Sequence, residues 1–341
     1  EWGVQKIGAP TLWDLGFKGG GIVYASADTG VQWDHPALKG RYRGWKPAKQ
    51  RARHGYSWWD AVHADISGNG TNPCGFSSTV PCDDFGHGTH VMGTGVGNDG
   101  GANQIGVAPR AKWIACRNMD ASGTGSPTTY SECFQFLMAP YKVGGNPNQG
   151  DPTKAPDSIN NSWGCPPSEG CSANTLLAVA DSVRAAGIFN AVAAGNSGSS
   201  CSSITDPPSL YDSSVTVGAT DSANRIASFS SRGPVTVDGS NRRKPDISAP
   251  GVNIRGAVPT NGYASGWSGT SMATPHIAGS IALLWQAKPS LKGNIDATET
   301  LLEKKSVHLK TTETCGGTQG KVPNNVFGYG VLNIYRAVIA P

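Results

Sequence analysis

Short apolar runs alternating with stretches of helical spacing limit what this chain can fold into more than any other feature. Residues 21–27, 112–116, 158–160, 188–194 and 214–217 read as buried strands. Between them, residues 130–137, 176–186 and 271–287 carry apolar side chains at helical spacing, with Leu176, Val179, Ala180 and Val183 on one face. Strands apolar on both sides need cover on both sides, so the alternation predicts an α/β fold: a mostly parallel central sheet with helices on both faces. Residues 39–84, 141–156 and 307–325 are rich in Gly, Pro and Asn and read as loop insertions on one domain spanning residues 1–341.

Composition narrows the function classes. The formal charge is only +4 over 341 residues, and the longest basic run is Arg242-Arg243-Lys244, so neither nucleic acid nor a membrane surface is an expected partner. The longest apolar stretches, such as residues 281–285, fall far short of the roughly 20 residues that a membrane span needs. The chain starts at Glu1-Trp2 without an initiator Met, which reads as a mature form after removal of a pro-segment. Its 8 cysteines include two close pairs in Gly/Pro/Ser-rich loops, Cys74 with Cys82 and Cys165 with Cys171. Local pairing favours disulfides, an oxidising compartment and secretion over reduced thiols or zinc, for which no CxxC spacing exists. The other four cysteines allow three pairings, of which Cys116–Cys133 with Cys201–Cys315 is favoured.

Four residues stand where chemistry is expected. Asp28 closes the first strand and is followed by Thr29-Gly30, which puts a carboxylate at the carboxyl edge of a parallel sheet. His87 lies in Gly86-His87-Gly88-Thr89-His90, just before a helical pattern. Ser271 lies in Gly269-Thr270-Ser271-Met272-Ala273-Thr274-Pro275, at the start of an apolar helix whose dipole favours negative charge nearby. Pro275 is expected in the first turn of that helix, where proline is tolerated. Asn196 follows a strand within Gly195-Asn196-Ser197. Each has a plainer reading: Asp28 as a turn or cap residue, Ser271 as an N-cap, Asn196 as a turn residue tolerating a left-handed conformation. A zinc reading of His87 and His90 fails, because the metalloprotease pattern needs a Glu between histidines spaced by four.

Taken together these blocks resemble the three signature segments of subtilisin-like serine proteases, in that family's order Asp, His, Ser. Gly106-Val107-Ala108-Pro109, Asn161-Ser162-Trp163-Gly164, Phe229-Ser230-Ser231-Arg232-Gly233-Pro234 and Ala249-Pro250-Gly251 match too, so the resemblance covers nearly the whole chain. Trp33-Asp34-His35-Pro36 and Asn160-Asn161-Ser162-Trp163-Gly164 look closest to the bacillopeptidase F-like branch. Two departures are a first strand poor in branched residues and the polar Asn190 within another strand.

The resemblance implies the three-layer subtilisin-like fold and a secreted, monomeric serine endopeptidase acting on proteins and peptides. Ser271 would be the nucleophile, His87 the general base, Asp28 its orienter and Asn196 the oxyanion-hole donor. Substrate main chain would pair with Gly123-Thr124-Gly125 on one side and Ser162-Trp163-Gly164 on the other, a mode that gives broad specificity. Asp206 would lie near the floor of the primary specificity pocket and favour Arg or Lys. No cofactor is implied for catalysis. Calcium, the family's usual stabiliser, is expected at most at another surface site. At the usual tight site, the loop of residues 97–105, His35-Pro36 is followed by Ala37 rather than Asp, and an N-terminal Gln ligand is missing.

Three rival readings are weaker. A catalytically silent peptide-binding module would be expected to lose one of the four residues. A dinucleotide site at Gly19-Gly20-Gly21 has its glycines before the strand rather than after it. A nucleophile-elbow esterase wants Gly where Ala273 stands.

Overall fold

The strands of the computed structural model, in chain order, are β1 (Val23–Asp28), β2 (Trp45–Lys46), β3 (Arg51–Ala52), β4 (Trp58–Asp60), β5 (Lys112–Arg117), β6 (Ser158–Asn161), β7 (Phe189–Ala193), β8 (Val215–Thr220), β9 (Ile247–Pro250), β10 (Ile254–Val258) and β11 (Gly262–Trp267). The helices are α1 (Trp2–Lys6), α2 (Ala9–Asp14), α3 (His87–Val96), α4 (Pro127–Met138), α5 (Leu177–Ala185), α6 (Thr270–Ala287), α7 (Ile295–Lys305) and α8 (Ile334–Ile339). Residues 1–317 and 319–339 are described. Thr318, inside the expected excursion 307–325, and Ala340 and Pro341, at the end of the expected 1–341 span, lie outside the described residues.

Seven strands form one sheet in the order β4-β5-β1-β6-β7-β8-β9, parallel throughout. Successive residues of β1 feed opposite faces: Tyr24 joins the core under α3 and α6, and Ala25 the core under α4. This is the α/β layering expected from the alternation of runs. Capping explains where two helices begin. Ser126 and Thr129 make a reciprocal capping box at α4 with Pro127 in the first turn, and Asn294 caps α7 through the Ala297 amide. Helix α3 seats against β1 because Gly95 leaves room; a Cβ there would stand 2.5 Å from the Tyr24 ring.

The excursion 39–84 departs from its expected character. It contributes edge strand β4 to the sheet, and its Trp58 and Tyr42 are fully buried. Asn190, the polar break in β7, accepts a hydrogen bond from Asn161 at 2.8 Å and donates to Ser214 at 3.2 Å, so its burial is compensated. The cysteines pair as Cys74–Cys82, Cys116–Cys133, Cys165–Cys171 and Cys201–Cys315, the set favoured from the sequence.

Candidate active site

Strand β1 lies where the sheet reverses its order of growth, with β5 on one side and β6 on the other. Open parallel sheets place ligands at such a switch point, outside the carboxyl ends of the strands. Asp28 is the last residue of β1, Ser162 the first after β6, and Asn196 follows the end of β7, while His87 opens α3 and Ser271 lies in the first turn of α6. His87, Asn196, Ser271 and Ser162 line one cleft with Gly123, Trp163 and Gly164.

Asp28 is buried, and its Oδ1 accepts hydrogen bonds from the Thr29 amide at 2.8 Å and from His87 Nδ1 at 2.7 Å. That fixes Nδ1 as the protonated nitrogen and leaves Nε2 as the basic one. Burial by itself lowers the proton affinity of His87, but the Asp28 charge and hydrogen bond, with the Asp83 charge behind them, outweigh it and raise the pKa above its ordinary value. Position comes from α3. Gly86 takes a left-handed φ of 94° ahead of the helix, and a Cβ on Gly88 would fall 2.1 Å from the Gly30 carbonyl oxygen.

The residue that secures this corner, Asp83, went unread in the sequence. Its carboxylate accepts from Thr29 Oγ1 at 2.9 Å, the Phe85 amide at 3.2 Å, the Gly86 amide at 2.7 Å, and both the amide and Oγ1 of Thr89 at 2.8 and 2.5 Å. It ties the residue after Asp28 to the first turn of the helix that carries His87. An Asp between Cys82 and Asp84 in a loop gives no sequence signal for this, because turn aspartates look the same.

Helix α6 requires a correction. It starts at Thr270 after Gly269, so Ser271 is a first-turn residue rather than an N-cap, and Pro275 lies inside the helix rather than in its first turn. Proline has no N–H to give to the carbonyl four residues earlier, which is that of Ser271. The Ser162 hydroxyl supplies the missing donor at 2.8 Å, and Ser271 Oγ returns a hydrogen bond to the Ser162 carbonyl at 3.0 Å. The reciprocal pair fixes Ser271 against the end of β6, with its hydroxyl turned to Ser162 instead of His87. Asn196 Oδ1 accepts from the Thr270 amide at 2.9 Å and Thr270 Oγ1 at 3.0 Å, which leaves the NH2 end of the amide for the cleft.

Of the expected substrate residues, Gly123, Ser162, Trp163 and Gly164 line the cleft, whereas Thr124 and Gly125 do not. The amides of Gly123, Thr124 and Gly125 already donate to Asp120 O, Asp120 Oδ1 and Glu169 Oε1. Trp163 stacks on Tyr130 with centroids 4.0 Å apart and donates to the Ala27 carbonyl, so its ring forms a wall. Asp206 lines an adjoining hollow that shares Gly164, Glu169, Ala193, Gly195 and Asn196 with the cleft. Glu169 was not singled out in the sequence, since the loop closed by Cys165 and Cys171 reads as surface.

The polar side chains of the loop of residues 97–105 are engaged with one another. Asp99 accepts from the amides of Gly101 and Asn103, from Asn103 Nδ2 at 2.6 Å and from Tyr263 OH at 3.3 Å. Asn103 Oδ1 accepts from Arg255 at 2.5 Å, and that guanidinium lies 4.9 Å from the Tyr263 ring centroid. The side-chain oxygens of Asp99 and Asn103 are thus engaged by N–H and O–H donors, with the Arg255 guanidinium beside them.

The subtilase family profile matches residues 19–330. The chain is 41% identical over 347 residues to Bacillopeptidase F of Bacillus subtilis, an alignment covering 100% of this chain and 22% of that protein. It is 32% identical to Subtilisin Savinase of Lederbergia lenta, over 98% of this chain and 97% of the relative. An alkaline protease of Alkalihalobacillus alcalophilus is also 32% identical, over 98% of this chain and 69% of the relative.

Proposed function

The chain belongs to the subtilase family of serine endopeptidases, and from that premise we propose that Ser271, His87, Asp28 and Asn196 perform its peptide-bond hydrolysis by acyl transfer. The supporting observation is the convergence of the Asp28–His87 pair at 2.7 Å, the Ser271 hydroxyl and the Asn196 amide on one cleft. A carbonyl carbon held there is attacked by Ser271 Oγ as His87 Nε2 takes its proton. The hydroxyl leaves Ser162 for His87 when substrate closes the gap, since such bonds tighten in the complex. Negative charge on the carbonyl oxygen is met by the Asn196 NH2 and the Ser271 backbone N–H, a first-turn donor with no intrahelical acceptor. His87 then protonates the leaving amine, and water repeats the sequence on the ester.

Substrate main chain runs between Ser162-Trp163-Gly164 and the Gly123 side, where the Gly123 and Gly125 carbonyls are the groups left to pair, since the Thr124 carbonyl accepts from the Asp120 amide. Recognition through main chain makes cleavage broad, and Asp206 biases it toward Arg or Lys before the scissile bond. The peptidase domain works as a monomer. Four disulfides suit an oxidising compartment and hence secretion. No helix of the described residues is long and apolar enough to cross a membrane. Catalysis takes no cofactor, and the loop of residues 97–105 binds no calcium, leaving other surface sites as the only places for it.

The deciding experiment is Ser271→Ala. Labelling by a fluorophosphonate should vanish, and turnover should fall by roughly 10⁶, the scale of a lost nucleophile in this kind of triad. Retained labelling at another residue would move the nucleophile elsewhere.

A further inference from the structure

The hollow beside Ser271 is walled by two loops that each carry one carboxylate. One is the loop closed by Cys165 and Cys171, bearing Glu169, and the other the turn before β8, bearing Asp206. They are joined by the Cys165 amide, which donates to the Pro207 carbonyl at 2.8 Å. Gly164 lets them close up, since a Cβ there would stand 3.1 Å from Asp206 Cβ. Among the described residues, no Lys, Arg or His lines this hollow.

We propose that Glu169 is a second specificity residue, which together with Asp206 makes this hollow a receptor for the cationic side chain of the residue before the scissile bond, arginine first and lysine second. The inference rests on the reading that this residue enters the hollow with Asp206 near its floor. Glu169 lines both the hollow and the cleft holding His87 and Ser271, so a side chain passing from one to the other passes its carboxylate.

Tyr130 OH donates to Glu169 Oε2 at 2.7 Å and the Gly125 amide to Oε1 at 3.1 Å. An ionised carboxylate offers about four acceptor sites. Two therefore remain, and a planar guanidinium with five donors can reach carboxylates on two walls at once where an ammonium is a point charge. The groups facing Glu169 are Tyr130 from α4, Asp206, and Asp120 from the turn after β5. Burial first, then the Asp206 and Asp120 charges, raise its proton affinity, and the Tyr130 and Gly125 hydrogen bonds oppose them. An arriving guanidinium relieves that repulsion, so selection for arginine weakens as acid protonates Glu169.

Glu169→Gln is the discriminating variant, because an amide keeps an acceptor for Gly125 and a partner for Tyr130 while removing the charge. Steady-state kinetics on matched peptides with Arg, Lys or Phe before the cut would compare wild type, Glu169→Gln and Asp206→Asn across pH. Ser271 labelling rates would confirm an intact site. Glu169→Gln is expected to lower kcat/KM for the Arg peptide about tenfold, chiefly through KM, and to leave the Phe peptide within about twofold. The rise in KM for the Arg peptide on acidification should shrink in the same variant. If only Asp206→Asn lowers the Arg-to-Phe ratio, the hollow is the right one and Glu169 merely tethers Gly125. If neither variant moves the ratio while the Phe peptide is still cut, the underlying reading of the hollow falls as well. Equal losses on all three peptides would also overturn the proposal, as those of a structural residue.

Discussion

Two carboxylates on opposite sides of the cleft are used in opposite ways. Asp83, beneath His87, is buried and accepts five hydrogen bonds from Thr29, Phe85, Gly86 and Thr89. Glu169, beside the hollow, is half-buried and accepts two. A saturated carboxylate has nothing left to offer a ligand and everything to hold a fold; one with open acceptor sites in a cavity can do the reverse. The His87 side is therefore built for fixed geometry and the Ser271 side for choosing among substrates. Asn196 stands between the two modes, with its oxygen saturated by Thr270 and its NH2 left for the cleft.

The comparison is tested most severely at Asn196. Asn196→Ala should fold normally yet lose about 2.7–4 kcal/mol of transition-state stabilisation, a fall of ~10²–10³ in kcat with KM little changed. Single-turnover kinetics on an amide substrate would check it, and an unchanged kcat would remove Asn196 from the site. Next is Asp83→Ala, which leaves several buried donors unpaired at about 1–3 kcal/mol each and should cost upwards of ~3 kcal/mol in urea unfolding. The measurement belongs on a Ser271→Ala background, where self-digestion cannot distort it. Asp83→Asn keeps the volume and should destabilise less.

The same variant gives a smaller, kinetic effect. In the proposed mechanism His87 must be neutral to accept the Ser271 proton, so activity should be present above its pKa and lost as pH falls through it. The raised pKa puts the acidic limb of kcat/KM above the ordinary histidine midpoint. Because the Asp83 charge adds to that of Asp28 in raising it, Asp83→Asn should move the limb to lower pH. A limb that stays in place would show that Asp83 acts on His87 only through position.

Much of this could be read from the residues alone. The alternation of apolar runs predicted the sheet, and the segments around Asp28, His87 and Ser271 are distinctive because each packs several special residues into one short stretch. What escaped was either short or set by distant partners. Strand β4 has only three residues, too few for a period to emerge. Asp83 and Glu169 are ordinary loop acids whose character depends on donors up to 54 residues away in sequence. Pro275 was misplaced because the helix begins one residue before Ser271, and the partner that makes its position tolerable, Ser162, lies 109 residues back.

The smallest expected effect concerns calcium, and the same distinction between saturated and open oxygens decides it. The loop of residues 97–105 follows the far end of α3, so a metal there would steady the helix that carries His87. Its polar groups are instead closed upon one another: Asp99 with Gly101, Asn103 and Tyr263, Asn98 with Gly100, and Asn103 with Arg255. The Asp99 pKa lies below its ordinary value, chiefly through the Asn103 side chain, so its carboxylate keeps its charge to lower pH than a free one. A calcium ion would have to break these contacts and tolerate the Arg255 guanidinium. Thermal unfolding of the Ser271→Ala protein should therefore show no rise in Tm from EGTA to millimolar calcium that Asp99→Ala removes. Arg255→Ala is the sharper arm: it removes the fixed charge, so if a metal site lies latent in the loop, calcium should stabilise this variant and not its parent. A calcium-dependent Tm in the parent, with heat of binding lost on Asp99→Ala, would show that the loop's oxygens are open after all.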